Sequence, residues 1–356
     1  MSRLASIIEQ FKDDFLSAYN GKILPSQLKA LHALKNCRSE SSPLFKLSCS
    51  GCDEHQFVPH SCGHRSCPHC QHHESQQWID QQLQKKVPTD YFMITFTLPK
   101  ELRSLAWQHQ KLVYQLLFQC AWDTLSTFSA NDKKLNGTPG VVAVLHTHSR
   151  LLHYHPHIHA VMPAAAINKT TKLWRKKENK YLFDHKALAI VFRAKILAGL
   201  TRLKLEKPTY YPKEWVVNVK SVGSGDKALV YLGRYLYRGV IREKDILGVK
   251  DGMVTYRYLD SKTKRYEKIT ISGVRFLWRV LQHVLPKGFR RSRNYGFLHP
   301  NSKQLVRLIQ IILKSVSMAW LPKKKSRSNI ICRCCGAVMH IVQTRIKRSS
   351  IVLTPT

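Results

Sequence analysis

VVAVLHTHSRLLHYHPHIHAVMP, residues 141–163, has the pattern of two strands joined by a short connection. It carries six histidines within fourteen positions: His146, His148, His153, His155, His157 and His159. A folded core has little use for so many imidazoles, which stay polar and titrate near neutrality. Two runs, 141–148 and 155–162, are β-branched or alternating and read as strands. A short connection around 149–154 joins them, and a tight connection between strands implies an antiparallel pair. Alternate side chains of a strand face the same way, so His157 and His159 project together while Ile158 turns into the core. If the two strands pair, His146 or His148 can supply a third ligand to one cation; His146 is favoured and His148 is the alternative. His153 and His155 fall in or near the turn and read as polar loop residues. A pH-sensitive surface or a structural zinc site remain alternatives for such a hairpin.

Working outward, YFMITFTL (91–98) and EWVVNVKSV (214–222) read as further strands, and residues 105–128 and 185–205 as helices. The fold class expected is α+β, with a central, mostly antiparallel sheet and packed helices, preceded by a small zinc-binding helical or ribbon domain. Pro88 breaks a Gln-rich helix and marks a boundary. Three consecutive regions follow: 1–88, which holds most of the Cys; 89–300, where strands alternate with helices; and 301–356, a basic helix and tail. Two helical patterns are legible in the first region. The tail holds one amphipathic helix and the run KKKSR at 323–327.

Across 356 residues, 58 Lys plus Arg stand against 22 Asp plus Glu, a formal net charge of +36. A chain this basic repels itself unless a polyanion compensates, and the usual polyanion is nucleic acid. A basic structural subunit of the ribosomal kind is the bland alternative. With 44% hydrophobic residues the chain can build a substantial core. The N-terminus reads as an amphipathic helix and not as a secretory signal, and no apolar run has the length of a membrane span. A soluble protein of the bacterial cytoplasm, associated with the nucleoid, is expected, without membrane partners. The ten cysteines then sit in a reducing compartment and serve better as metal ligands than as disulfides.

CSGC at 49–52 and CPHC at 67–70 are two C-x2-C knuckles. Two knuckles place four thiolates, Cys49, Cys52, Cys67 and Cys70, where they can surround one tetrahedral Zn2+. Cys37, His60, Cys62 and His64 are surplus and could replace a ligand or bind a second metal. Redox-active or merely buried thiols are the alternative. CRCCG at 332–336 resembles half a knuckle, with His340 near and no evident partner, and reads as part of a basic tail.

GDKALVYLGRYLYRGV, residues 225–240, reads as a helix with Asp226 as N-cap and Gly239 just past its end. At about 100° per residue, Tyr231 and Tyr235 share one face. Leu229, Leu232 and Leu236 form a separate stripe that would dock on the sheet. Arg234 and Arg238 flank the tyrosines and are candidate DNA contacts. Gly233 in mid-helix costs ~1 kcal/mol relative to Ala, so something must approach the backbone there.

Together these motifs resemble the HUH nucleases, in particular the rolling-circle transposases of the insertion-sequence-ninety-one type. The likeness covers most of the chain. CSGC with SCGHRSCPHCQ is similar to that family's zinc-binding domain. FTLPKELR (96–103), the histidine stretch, WVVNVKSVGSGDKALVYLGRYLYR (215–238) and HVLPKGFRRSRNYGFL (283–298) follow its later segments. The resemblance implies an HUH strand at the centre of the sheet, with the tyrosine helix beside it. It implies Tyr231 and Tyr235 as catalytic tyrosines and His157 and His159 as the metal-binding pair. It also implies cleavage of single-stranded or hairpin DNA through a 5′-phosphotyrosine link, with Mg2+ or Mn2+ as catalytic ion. Self-association is compatible with this reading. No P-loop pattern is present, so no fused helicase motor is evident. A plasmid or phage replication initiator, or a zinc-dependent DNA-binding regulator without catalysis, are the rival readings.

Overall fold

The structure, a computed structural model, describes residues 2–168, 170–171, 173–178, 181–237, 239–260, 263–315 and 330–347. The first third of the chain forms α1 (Arg3–Ala18), α2 (Pro25–Lys35), β1 (Leu44–Cys49), β2 (His55–Pro59), α3 (His72–Leu83), β3 (Tyr91–Thr97), α4 (Arg103–Gln108) and α5 (Gln110–Asn131). The middle forms β4 (Thr138–His148), β5 (Tyr154–Pro163), β6 (Ala165–Ile167), β7 (Trp174–Lys176), α6 (His185–Arg202), β8 (Val217–Ser221) and α7 (Asp226–Tyr237). Then come β9 (Ile246–Lys250), β10 (Met253–Leu259), β11 (Tyr266–Ser272), α8 (Gly273–Leu281), β12 (Ser292–Gly296), α9 (Lys303–Ile312), β13 (Ile330–Ile331) and β14 (Val338–Ile346).

The chain divides into two compact units that interleave in sequence. One comprises Met1–Glu74, Tyr237–Val284 and Leu321–Thr356; the other comprises Ser75–Leu236 and Leu285–Trp320. This differs from three consecutive regions divided at 88 and 300. The cause is pairing over long sequence separations: β14 pairs with β1, and α8 packs on α1.

The second unit is α+β. Its sheet has the order β7-β6-β4-β5-β3-β8, with β12 also paired to β4, and its pairings are antiparallel. Alternation along the strands decides what each face carries. Phe92, Ile94 and Phe96 of β3, Ala143 and Leu145 of β4, and Ile158 and Ala160 of β5 pack with residues of α5 and α6 in one buried cluster. Phe96 and Phe192 are both fully buried, their ring centroids 4.8 Å apart. Burial of each such side chain contributes about 1.5–3 kcal/mol. The opposite face presents the histidines. Asp184 caps α6, accepting from Lys186 N at 3.1 Å and Ala187 N at 3.2 Å, which satisfies first-turn donors.

In α7, Leu229, Leu232 and Leu236 are buried, as the stripe required. Asp226 is the first helical residue and not the cap. Gly225 precedes it at φ +80°, and the Asp226 carboxylate takes hydrogen bonds from Lys86 and Ser224. What approaches Gly233 is α3. A methyl group at position 233 would lie 2.2 Å from Ile79 Cγ1 and 2.9 Å from Trp78 Cε3. Ser75 Oγ donates to the Gly233 carbonyl at 3.0 Å. Gly233→Ala gains ~1 kcal/mol of helix propensity, but overpacking typically costs about 1–3 kcal/mol. The expected result is a lower thermal midpoint for the variant; a raised midpoint would contradict this packing.

In the first unit, α1, α2 and α8 pack together with the three-stranded sheet β11-β10-β9. Phe11 of α1 lies so close to Gly273 that a Cβ there would meet its ring at 2.3 Å. The same unit holds a four-stranded sheet, β13-β14-β1-β2. Over 1–88, where two helical patterns and a helical or ribbon domain are expected, the structure forms α1, α2 and α3 with the β1–β2 hairpin. Among the described residues, no helix is long and apolar enough to cross a membrane.

Candidate active site

β5 lies between β4 and β3, and register fixes which side chains meet. His146 stands opposite His157, and His159 lies between Val144 and Thr95. Side chains directly opposite in an antiparallel pair share a face. His146, His157 and His159 therefore converge, with one ligand nitrogen from each lying within 4.8 Å of the others. His148 does not join them. A bulge between His146 and His148 breaks the alternation that would have placed both on one face. The Tyr235 hydroxyl lies 2.8 Å from His148 Nδ1 instead. His155, expected near the turn, sits on β5; Arg103 approaches its Nδ1. His153 is exposed in the connection.

The ring nitrogens are arranged as a metal site needs. His157 Nδ1 lies 2.6 Å from the His155 carbonyl and so donates to it. His159 Nδ1 lies 3.1 Å from Thr95 Oγ1. Such partners fix the ring and leave Nε2 as the ligand atom. The Nε2 of His146 is buried with no hydrogen-bond partner. A buried polar atom left so is costly unless an ion completes it. Burial pushes His146 and His157 well below the usual imidazole range, and His159 to about 4. All three are therefore neutral near pH 7, the form that binds metal. The three imidazoles fit a divalent cation with positions left for oxygen ligands.

α7 sets both tyrosines over this cluster, with unlike surroundings. Tyr231 is 47% exposed, its ring centroid 6.2 Å from those of both His146 and His159. Tyr235 lies 6.3 Å from Tyr231 and stacks on His146 with centroids 3.3 Å apart. Burial raises the Tyr235 phenol above its ordinary range, and Arg291 opposes that shift. Arg291 lies in the segment HVLPKGFRRSRNYGFL (283–298), but nothing in that segment distinguishes it from its neighbours Arg290 and Arg293 as the one that meets Tyr235. It is held by the carbonyls of Leu145, at 3.1 Å, and Leu236, at 3.2 Å. Its guanidinium lies 4.9 Å from the centre of the Tyr235 ring. Thr95 was likewise missed; as an alternating strand residue it carries no signal until β3 is known to pair with β5. Arg234 is exposed on α7. Arg238 and the run at 323–327 lie outside the described residues.

The cysteines group otherwise than expected. Cys67 and Cys70 cluster with Cys37 and Cys62, while Cys49 and Cys52 cluster with Cys332 and Cys335. A single site of Cys49, Cys52, Cys67 and Cys70 is thereby corrected. Cys37 follows α2, and Cys67 and Cys70 precede α3, so the ends of two helices bring these thiols together. Sγ–Sγ separations there are 3.5 Å for Cys37–Cys67, 3.3 Å for Cys37–Cys70 and 3.8 Å for Cys62–Cys70. This donor set fits a tetrahedral thiophilic ion such as Zn2+. His60 and His64 belong to neither group.

Residues 7–98 match the family described as "Transposase zinc-binding domain", and residues 140–305 the one described as "Putative transposase". The "Putative transposase y4qJ" of Sinorhizobium fredii is 30% identical over 318 residues, 83% of this chain and 80% of that protein. The transposase for insertion sequence element IS801 of Pseudomonas savastanoi pv. phaseolicola is 27% identical over 265 residues, 69% of this chain and 63% of that one. Among solved structures, the conjugative relaxase TrwC with oriT DNA, in its metal-free form, aligns over 63% of this chain and 74% of its own at 15% identity, with a TM-score of 0.28. The histidine cluster, both tyrosines and Arg291 fall inside the second matched stretch, whereas Cys332 and Cys335 fall outside both.

Proposed function

The chain belongs to the IS91/IS801 family of HUH-type transposases with an N-terminal zinc-binding domain, and from that premise we propose that it nicks and rejoins single-stranded DNA through a 5′-phosphotyrosine intermediate, so driving rolling-circle transposition of an insertion sequence. One observation carries the reading. An exposed phenol, Tyr231, stands over three neutral imidazoles poised as ligands, with a second phenol beside it.

His146, His157 and His159 would hold Mn2+ or Mg2+, which when bound polarises the scissile phosphate and offsets developing charge. A histidine set suits Mn2+ better than Mg2+, since Mg2+ prefers oxygen ligands. The Tyr231 oxygen attacks phosphorus as the bond from phosphorus to the 3′-oxygen breaks. A tyrosyl phosphodiester forms at the 5′ end, and the 3′-oxygen leaves as a hydroxyl, taking up the equivalent of the phenolic proton. One phosphodiester replaces another, so the ends can be rejoined without ATP.

Tyr235 serves a second event. Its hydroxyl shares a proton with His148, which takes that proton when Tyr235 becomes the nucleophile. Arg291 lies against the ring and favours the phenolate that results. Arg234, exposed on α7, is available to the phosphodiester backbone, and Arg238 is assigned the same role from the sequence alone, while the zinc-binding unit and the strongly basic composition supply salt-dependent DNA affinity. Incubation of a labelled element-end oligonucleotide with the protein and Mn2+, followed by a denaturing gel, tests the reading. A slow-migrating protein–DNA adduct is expected. DNA binding without an adduct would favour a non-catalytic regulator.

A further inference from the structure

The cluster of Cys49, Cys52, Cys332 and Cys335 lies apart from the catalytic chemistry and joins residues from opposite ends of the sequence. Each half is a C-x2-C at the turn of a hairpin. Cys49 ends β1 and Cys52 precedes β2; Cys332 follows β13 and Cys335 precedes β14. The two turns are built alike. Cys49 N donates to the Glu54 carbonyl at 3.0 Å, and Cys332 N to that of Ala337 at 2.8 Å. Gly51 N–H points at Cys49 Sγ, 3.3 Å away, a donor that favours a thiolate there. Gly336 follows Cys335 at φ +74°, a left-handed turn that glycine adopts without strain.

The hairpins face each other through the antiparallel β1–β14 ladder, in which Cys49 stands opposite Met339. Ser50 Oγ donates to the Val338 carbonyl at 2.9 Å. A Cβ on Gly51 would lie 2.9 Å from that of Ala337, so the two turns are in close contact. Cys49 and Cys335 Sγ are 3.3 Å apart, Cys52 and Cys332 Sγ 3.7 Å, and all are free thiols. Four sulfurs at about 2.3 Å from one tetrahedral ion would be about 3.8 Å apart. Cys334, between two members of the set, is exposed and not part of it.

The packing leaves this sheet dependent on something besides its core. Leu47, Cys332 and Met339 are the buried residues of its hydrophobic cluster, and β14 runs exposed from His340 to Arg345. A short two-stranded hairpin with so little apolar burial is marginal in water. Binding energy of a structural metal is folding energy in modules of this size. We propose that these four thiolates hold a second structural zinc ion, distinct from that at Cys37, Cys62, Cys67 and Cys70, and that this ion clips the C-terminal hairpin onto β1. The zinc-binding unit then includes the β13–β14 hairpin as well as β1 and β2.

The test is metal counting on full-length protein carrying His157→Ala and His159→Ala, so that catalytic-site metal does not contribute. Mass spectrometry of the metal content should find two zinc ions per chain. Cys332→Ser with Cys335→Ser should reduce this to one, and Cys334→Ser should leave two. One zinc in the parent, or two retained in the Cys332→Ser/Cys335→Ser protein, would overturn the proposal. Should that double variant fail to fold, 113Cd NMR of the cadmium-loaded parent decides the matter. Two resonances in the all-thiolate range support the second site, and a single one rejects it.

Discussion

Tyr231→Phe is expected to abolish nicking of an element-end oligonucleotide, by on the order of a thousandfold or more, whereas Tyr235→Phe should nick within a few-fold of the parent and fail to complete strand transfer. A thousandfold loss corresponds to about 4 kcal/mol of transition-state stabilisation, at about 1.36 kcal/mol per tenfold. Removal of a covalent nucleophile is of that size because the other phenol, Tyr235, is stacked on His146 and made harder to ionise by burial, so it does not take over the first cut. The asymmetry follows from surroundings. Tyr231 is 47% exposed and open to an incoming strand. Tyr235 is stacked on His146, hydrogen-bonded to His148, and carries a phenol that burial makes harder to ionise. Single-turnover nicking and a separate strand-transfer assay on the two variants check this. Equal defects in both would contradict the assignment of different roles.

The second large effect is expected from His157→Ala with His159→Ala. Two of three metal ligands are then lost, and cleavage should fall by on the order of a thousandfold, since the ion's charge stabilisation is worth several kcal/mol. DNA affinity, measured by fluorescence anisotropy at fixed salt, should stay within about threefold, because phosphate neutralisation by a chain of net charge +36 does not depend on two neutral imidazoles. The substitutions lie on the sheet face opposite the α5–α6 core, so loss of fold is not the expected cause of inactivity. Cleavage retained in the double variant would remove the metal role of this strand.

Much of the site was legible in the sequence because it rests on short periods. Alternation alone puts His157 and His159 on one face of β5, and the helical period alone puts Tyr231 and Tyr235 on one face of α7. The glycine within α7 points to a close approach at its backbone, which is that of α3, and the leucine stripe, read as docking on the sheet, is buried. Identification of the third ligand needed more. His146 and His148 are equivalent by period, and the bulge that separates them appears only once β4 is seen beside β5. Arg291 reaches Tyr235 from β12's approach to β4, a contact 56 residues distant in sequence from its target that no local pattern encodes.

The cysteines mark the same boundary. Two C-x2-C knuckles in one N-terminal stretch read naturally as one site, because nothing local reports where a third knuckle lies. Cys52 meets Cys332 across 280 residues, and Cys37 sits beyond a hairpin from Cys67. Ligand type and spacing thus revealed metal chemistry, while the partition of ligands was decided by the pairing of β14 with β1. That pairing also explains why the units interleave.

The ion site and the exposed phenol are proposed to act on one phosphorus. This is tested most directly by trapping the covalent adduct on a 5′-mapped oligonucleotide, digesting it, and locating the nucleotide by mass spectrometry, with Mn2+ and with chelator. The expected product is a phosphotyrosyl linkage at Tyr231 that forms with Mn2+ and is absent with chelator. Attachment at a residue away from α7, or an adduct formed equally in chelator, would contradict it.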